Sequence, residues 1–438
     1  MLTIFNTLSK EKELFKPLNP PRVGLYTCGP TVYDYPHIGN YRAYVFGDLL
    51  KRYLKYSNFE VKHVMNITDV DDKTIKKAKE ENKELKEITE FYTKEFFKDI
   101  KKLNIQPADI YPKATDYINE MVELIEDLIN KGFAYKTKDG SVYFNIKKFP
   151  EYGKLSNIKL GNLKENAQSR LADEYDKDNP QDFALWKADQ EVFWETSLGK
   201  GRPGWHIECS AMSMKNLGES FDIHTGGVDN IFPHHENEIA QSECSTGKPF
   251  SKYFLHNEHL LVNGKKMSKS ENNFYTLKDV NPMAFRYWLY TAHYRTRVNF
   301  TFDAIKGVNV SLNRLKDFIR SVEKPGQVNK NYKARFIEYL DNDLNSPKTI
   351  SLLWELVKDS NIKDEDKLAT IFEFDKVFGF NLDKIENIPQ EVLELVKQRE
   401  KARKKNNWLE SDKLRDQISK LGYNVKDTKE GARLSLIA

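Results

Sequence analysis

Cysteine is scarce in this chain of 438 residues. Three occur, at positions 28, 209 and 244, too few and too scattered for a disulfide framework, which fits a reducing, cytoplasmic setting. No apolar run approaches the length of a membrane span, so a soluble chain with no membrane partner is expected. The opening MLTIFNTLSKEKELF has no basic stretch followed by an apolar one, and no export signal is read there. No internal repeat of fixed period is present. A large excess of one charge is absent too: 69 basic against 65 acidic residues leave +4. That surplus falls in residues 391–438, where 12 Lys and Arg face 8 Asp and Glu. A basic tail suits nucleic-acid contact, and it equally suits an ordinary charged surface.

The length exceeds a single hydrophobic core, so two to four domains are expected. Hydrophobic content of 39%, with 22 Tyr and 26 Phe, excludes global disorder. RVGLYTC (22–28) reads as a buried strand and YRAYVFGDLLKRYLKYSN as a helix. EVKHVMNIT (60–68) reads as a second strand. Strand, loop, helix, strand opens a parallel α/β unit of Rossmann type, whose ligands sit at the carboxyl ends of the strands. Helical patterns follow over 71–104 and 115–131, then a hairpin around Asp139-Gly140 and a polar tract at 151–182. The α/β pattern resumes near 204, with strands at FDIHT and YFLHNEHLLV and a hairpin at Asn263-Gly264. From about 306 the chain reads as helices.

The expected organisation is therefore a catalytic domain split by an insertion, followed by a helical bundle and a small terminal unit. Its boundaries are 1–132 for the first half, 133–200 for the insertion and 201–256 for the second half. The region 257–305 follows, then a bundle over 306–405 and a basic unit over 406–438.

Chemistry concentrates in Gly204–Glu238, which holds Cys209 and four of the nine histidines, His206, His224, His234 and His235. His234 and Glu238 stand four apart and share one face of a helix. With Cys209 they offer N, O and S donors of the kind zinc takes; ordinary polar helix residues and a core cysteine are the plain alternative. Two further segments suit phosphate. His37-Ile38-Gly39-Asn40 lies between a strand and a helix start. Lys265-Lys266-Met267-Ser268-Lys269-Ser270 reads as a basic loop able to neutralise a pyrophosphate. Cys244, six residues beyond Glu238, is expected to be a packed core residue, and His235 and Glu236 either support the ligands or face solvent.

HIGN and KMSKS resemble the two signature motifs of class I aminoacyl-tRNA synthetases. TCGPTVYD around Cys28, NITDVDDK (66–73), GWHIECS and FPHHENEIAQS are similar to the cysteinyl-tRNA synthetase family in particular, over about residues 20–300. The resemblance implies one Zn2+ per chain on Cys28, Cys209, His234 and Glu238, taking the substrate thiol as thiolate. It implies a cysteine pocket of Thr31, Thr68, Trp205 and His224. The ATP side, with Mg2+ accompanying ATP, is implied at His37, Gly39, Asn40, Gly226, Gly227, Asp229, Lys266 and Lys269. L-cysteine, ATP and tRNA(Cys) are the implied partners and a monomer the implied state. Two departures stand out: Asn40 replaces a usual histidine, and HTGG replaces HGGG, which puts Thr225 near the adenosine. Three alternatives remain: a ligase joining cysteine to an amino sugar, a zinc hydrolase using the HHENE glutamate, and a non-catalytic tRNA-binding module. The basic run Lys401, Arg403, Lys404, Lys405 before Trp408 suits either base stacking or packing on the bundle.

Overall fold

The computed structural model describes residues 1–158, 182–267, 273–385, 389–428 and 431–436. Most of the polar tract expected at 151–182, and the SKS of KMSKS, lie outside them. Two compact units emerge, one of residues 1–279, 289–300 and 336–350, the other of 280–288, 301–335 and 351–438.

The first unit opens with a hairpin, β1 (Thr3–Asn6) and β2 (Glu11–Leu14), too short and charged to be read from sequence. Then come β3 (Arg22–Thr27), α1 (Ile38–Tyr56) and β4 (Glu60–Met65). The pattern over 71–104 is two helices, α2 (Asp72–Glu81) and α3 (Leu85–Lys102). They separate because Asn82 adopts the left-handed conformation at φ 51°, which ends α2. After α4 (Ile118–Asn130) the insertion forms an antiparallel sheet of β5 (Ala134–Lys136), β6 (Val142–Phe144), β7 (Phe183–Ala188), β8 (Trp194–Thr196) and β9 (Gly199–Pro203), in the order β5-β6-β7-β9-β8.

The α/β pattern then resumes with α5 (Trp205–Leu217), β10 (Phe221–Gly227), α6 (Glu236–Thr246) and β11 (Ser251–Asn257). Strands β11-β10-β3-β4, in that order, pair in parallel throughout. They are buried on both faces, which is why they read as near-continuous apolar runs. The hairpin at Asn263-Gly264 joins β12 (Leu260–Val262) to β13 (Lys265–Lys266), and β14 (Val298–Phe300) pairs with β12. Asn263 and Gly264 both have positive φ, 48° and 78°, as a two-residue hairpin turn requires. The α/β class with a split parallel sheet is the one the alternation of patterns predicts.

The second unit takes in most of α7 (Pro282–Tyr290), missed in the sequence, then α8 (Phe302–Ser321), the first half of α9 (Lys330–Asp341), most of α10 (Ser346–Lys358) and α11 (Asp364–Phe378); the rest of α7, α9 and α10 belongs to the first unit. It ends with α12 (Gln390–Lys404), α13 (Trp408–Lys420) and the hairpin β15 (Tyr423–Thr428) and β16 (Gly431–Leu436). Val392 and Val396 of α12 pack on Ile418, Tyr423, Val425 and Leu434, so these four elements share one small core. Buried Arg399 grips Asp427 with both terminal nitrogens, at 2.7 and 2.9 Å. Trp408 is 54% exposed and carries the Arg403 guanidinium 5.1 Å from its ring, so it is not packed away.

One buried cation ties α1 to the loops beside it. Arg42 donates to the carbonyls of His259 at 2.6 Å and Tyr294 at 3.1 Å, and also to that of Thr296. Burial lowers its pKa to about 10, which leaves it charged at neutral pH. Replacing it strands three carbonyls, so Arg42→Met is expected to lower stability by about 3 kcal/mol in urea unfolding; a loss under about 1 kcal/mol would contradict this role.

Candidate active site and metal centre

From β3 the chain turns towards β4, and from β10 towards β11 on the other side. The crevice at this reversal is where a parallel sheet binds its ligands. A cavity of about 370 Å³ opens there, lined by Cys28, Thr31, His37, Gly39, Asn40, Lys73, Trp205, Gly226, Gly227, Asp229 and Met267, among others.

Behind the cavity wall lies a cluster of donors. Cys28 follows β3, Cys209 lies on α5, His234 lies in the turn before α6 and Glu238 in the first turn of α6. The helix does not begin at Pro233 as the pattern suggested. A wider turn over Ile231–His235, with Phe232 extended at φ −136°, precedes it. His234 and Glu238 still meet, with Nε2 3.0 Å from Oε1. Donor atoms of Cys28, Cys209, His234 and Glu238 all lie within 4.8 Å of one another. A second set, Cys28, His224, His235 and Glu238, meets the same limit and shares two members.

These donors fit a divalent metal. Oε1 of Glu238 is buried and lies 3.0 Å from His234 Nε2 without an aligned hydrogen bond, a charge that a cation between the donors would complete. Two thiols add the soft donors that zinc-type ions prefer. Burial would push the Glu238 carboxyl up, yet His224 and His234 hold it down at about 2. Burial also opposes protonation of His234, but Glu238 and Cys209 outweigh it and raise that imidazole to about 10. Burial keeps Cys28 protonated well above the usual thiol range, while its hydrogen bond to Cys209 draws the latter down.

Around the cluster stands a shell that the sequence did not specify. His235 Nε2 is 3.2 Å from Cys28 Sγ, its Nδ1 is 2.8 Å from His256 Nε2, and His256 Nδ1 is 2.8 Å from Thr7 Oγ1. His206 Nδ1 lies 2.8 Å from His234 Nδ1. Such contacts fix ring orientation and tautomer. His235 is thus a support of the donors rather than a solvent-facing residue. Glu236 instead accepts from the backbone N–H of Gly153 and Ser156 at 2.9 and 2.8 Å. Cys244 is a core residue, as expected.

Not every expected pocket residue reaches the cavity. Trp205 and Thr31 line it, and Trp205 stacks on His234 at 4.1 Å. Thr68 is buried and donates to Glu208 Oε2 at 3.0 Å. His224 is buried too, its Nε2 2.7 Å from Glu238 Oε2. It stands behind the donors, because its position on β10 turns it towards α6 rather than towards the cavity. Thr225, expected near the adenosine, points to the opposite face. Its Oγ1 lies 2.9 Å from Thr27 Oγ1, since neighbours along a strand alternate sides.

The HIGN segment caps α1. Asn40 N donates to His37 Nδ1 at 3.1 Å, and His37 N donates to Asn40 Oδ1 at 3.0 Å. Asparagine thus completes a reciprocal cap, and Asn40 lines the cavity. A Cβ at Gly39 would come within 2.9 Å of the His37 ring, and one at Gly226 within 2.8 Å of the His235 ring. Lys266 lies on β13; its side chain, and Lys269, lie outside the description.

The family model described as "tRNA synthetases class I (C) catalytic domain" matches residues 14–310. "DALR domain" matches 335–380 and "Cysteinyl-tRNA ligase anticodon binding domain" matches 386–433. The cysteine–tRNA ligase of Chlamydia muridarum is 48% identical over 476 residues, covering 100% of both chains. The chain belongs to the cysteine–tRNA ligase family. The corresponding ligase of Chlamydia pneumoniae is 49% identical, covering 99% of this chain and 98% of its own. Among solved structures, a methionyl-tRNA synthetase of Mycobacterium tuberculosis with methionyl-adenylate superposes with a TM-score of 0.57 at 14% identity, covering 82% of this chain and 90% of that one. It shares the class I fold.

A metal-bound imidazole must be neutral, whereas His234 holds its proton to about 10 in the metal-free protein. Metal uptake at pH 7 should therefore release at least one proton and weaken as pH falls. Calorimetric titration with Zn2+ in two buffers of different ionisation enthalpy reads this directly; uptake without proton release would contradict the ligand set.

Proposed function

We propose that the chain charges tRNA(Cys) with L-cysteine, using ATP and Mg2+, and that one Zn2+ on Cys28, Cys209, His234 and Glu238 selects the amino acid. The observation that carries this is the convergence of these four donors within 4.8 Å, with Cys28 shared by the cluster and the cavity lined by HIGN. Zinc bound there supplies a Lewis acid that takes the substrate thiol as thiolate. Serine offers a harder hydroxyl and alanine no ligand.

The residues divide the remaining work. Trp205, stacked on His234, forms a wall beside the metal, and Thr31 meets the polar end of the amino acid. His37, Asn40 and the N-terminal amides of α1 face phosphate. Asp229 beside Gly226-Gly227 suits the ribose hydroxyls, while Lys266 and Lys269 serve the departing pyrophosphate. His224 and Thr68 act from behind, through Glu238 and Glu208. A match to an anticodon-binding domain at 386–433 favours tRNA over an amino sugar as acceptor. This reading includes a monomer in the cytoplasm; no described helix is long and apolar enough to cross a membrane.

The test is amino-acid-dependent ATP–pyrophosphate exchange. A site built on one specific bond rejects the analogue lacking it by about 10⁴-fold or more, so serine should fall short of cysteine by that order. Comparable rates would remove the zinc–thiolate argument.

A further inference from the structure

The NITDVDDK segment, 66–73, is tied down at its polar positions by a chain of contacts. Asn66 accepts from Gly29 N at 2.8 Å and donates to Thr68 at 3.1 Å. Thr68 donates to Glu208 at 3.0 Å, and Asp69 accepts from Thr115 Oγ1 at 2.7 Å. Asp71 caps α2 by accepting from Lys73 N at 2.9 Å. Asp72 is held by two buried cations of the insertion, Lys187 on β7 at 2.9 Å and Arg202 on β9. Arg202 also reaches Asp189 at 2.9 Å, so two cations and two carboxylates balance there.

Lys73 differs from all of these. Its ammonium has no carboxylate within 4.0 Å among the described residues, and it sits over the Tyr33 ring, 5.6 Å from its centre. It lines the cavity, and among the described lining residues it is the one Lys or Arg, in company with the acids Asp34, Asp229 and Glu258. A segment locked at every other polar position thus presents a single unpaired cation to a cavity whose proposed substrates are phosphates. The clamp on Asp72 fixes where α2 starts, and so where Lys73 projects.

We propose that Lys73 is a catalytic residue that donates its ammonium to a phosphate oxygen during the reaction. This rests on the ligase reading above. Two phosphates share that chemistry. One is the α-phosphate of ATP, which the cysteine carboxylate oxygen attacks while the bond to the β-phosphate breaks and pyrophosphate leaves with its electron pair. The other is the last phosphodiester of the tRNA acceptor end, held while the ribose hydroxyl oxygen attacks the adenylate carbonyl, loses its proton and expels AMP. An ammonium aimed at developing charge acts in a preorganised way that bulk water does not.

The full-length native protein, Lys73→Gln and Lys73→Arg are compared in pyrophosphate exchange and in single-turnover transfer from preformed cysteinyl-adenylate to tRNA. Lys73 is exposed, so neither change disturbs the core, and metal content and the KM for cysteine should match the native chain. Lys73→Gln should slow one step by about 10²-fold, and Lys73→Arg should recover most of it. Slowed exchange identifies the α-phosphate. Slowed transfer alone, with weaker salt dependence of tRNA binding, identifies the acceptor end. If the native chain exchanges and Lys73→Gln stays within about twofold in both steps, or if arginine recovers nothing, the inference is overturned alone. A native chain without cysteine-dependent exchange overturns the ligase reading and this inference with it.

Discussion

Glu238 is a carboxylate with no solvent exposure, and the site is organised around that burden. An unpaired charge in such a place costs several kcal/mol, so the fold surrounds it with His224 at 2.7 Å and His234 at 3.0 Å. Meeting this requirement dictates the neighbourhood. Position 224 on β10 supplies one imidazole, and the wide turn before α6 brings His234 round to the same carboxylate. Gly226 must have no side chain because the His235 ring fills that space. Oε1, the His234 imidazole and the two adjacent thiols then make a donor set of the kind a borderline-soft divalent cation takes.

The same arrangement separates recognition from chemistry. The donors lie behind one wall of the cavity, with Cys28 and Trp205 facing inwards, while the α1 N-terminus and the Gly226-Gly227 turn form other walls. Asn40 shows how a change of residue can keep its structural task. Its Oδ1 accepts from His37 N and completes the capping box, so the helix start is capped by a side chain that carries no positive charge. Thr225 is absorbed on the other face of the sheet by a hydroxyl contact with Thr27.

What could be read from the chain follows from the range of the interactions. Buried parallel strands and helices carry local periodicities, so the α/β core and most helix spans were legible within a few residues. The His234–Glu238 pair was legible because four residues make one helical turn. Cys28 came from the likeness of its surrounding motif to a known family, since nothing local links it to residue 209. The His256–Thr7 contact spans 249 positions and leaves no local trace. His224 was expected in the pocket from the family resemblance alone; its place on β10 turns it towards Glu238 instead, with Nε2 2.7 Å from Oε2. The split between α2 and α3 depended on one asparagine adopting a left-handed conformation, which composition alone does not announce.

The central claim is that a metal on Cys28, Cys209, His234 and Glu238 binds the substrate thiol directly. Cobalt-substituted protein titrated with L-cysteine tests it most plainly. A new thiolate-to-cobalt charge-transfer band should grow with cysteine and not with serine. A spectrum unchanged by saturating cysteine would contradict direct coordination.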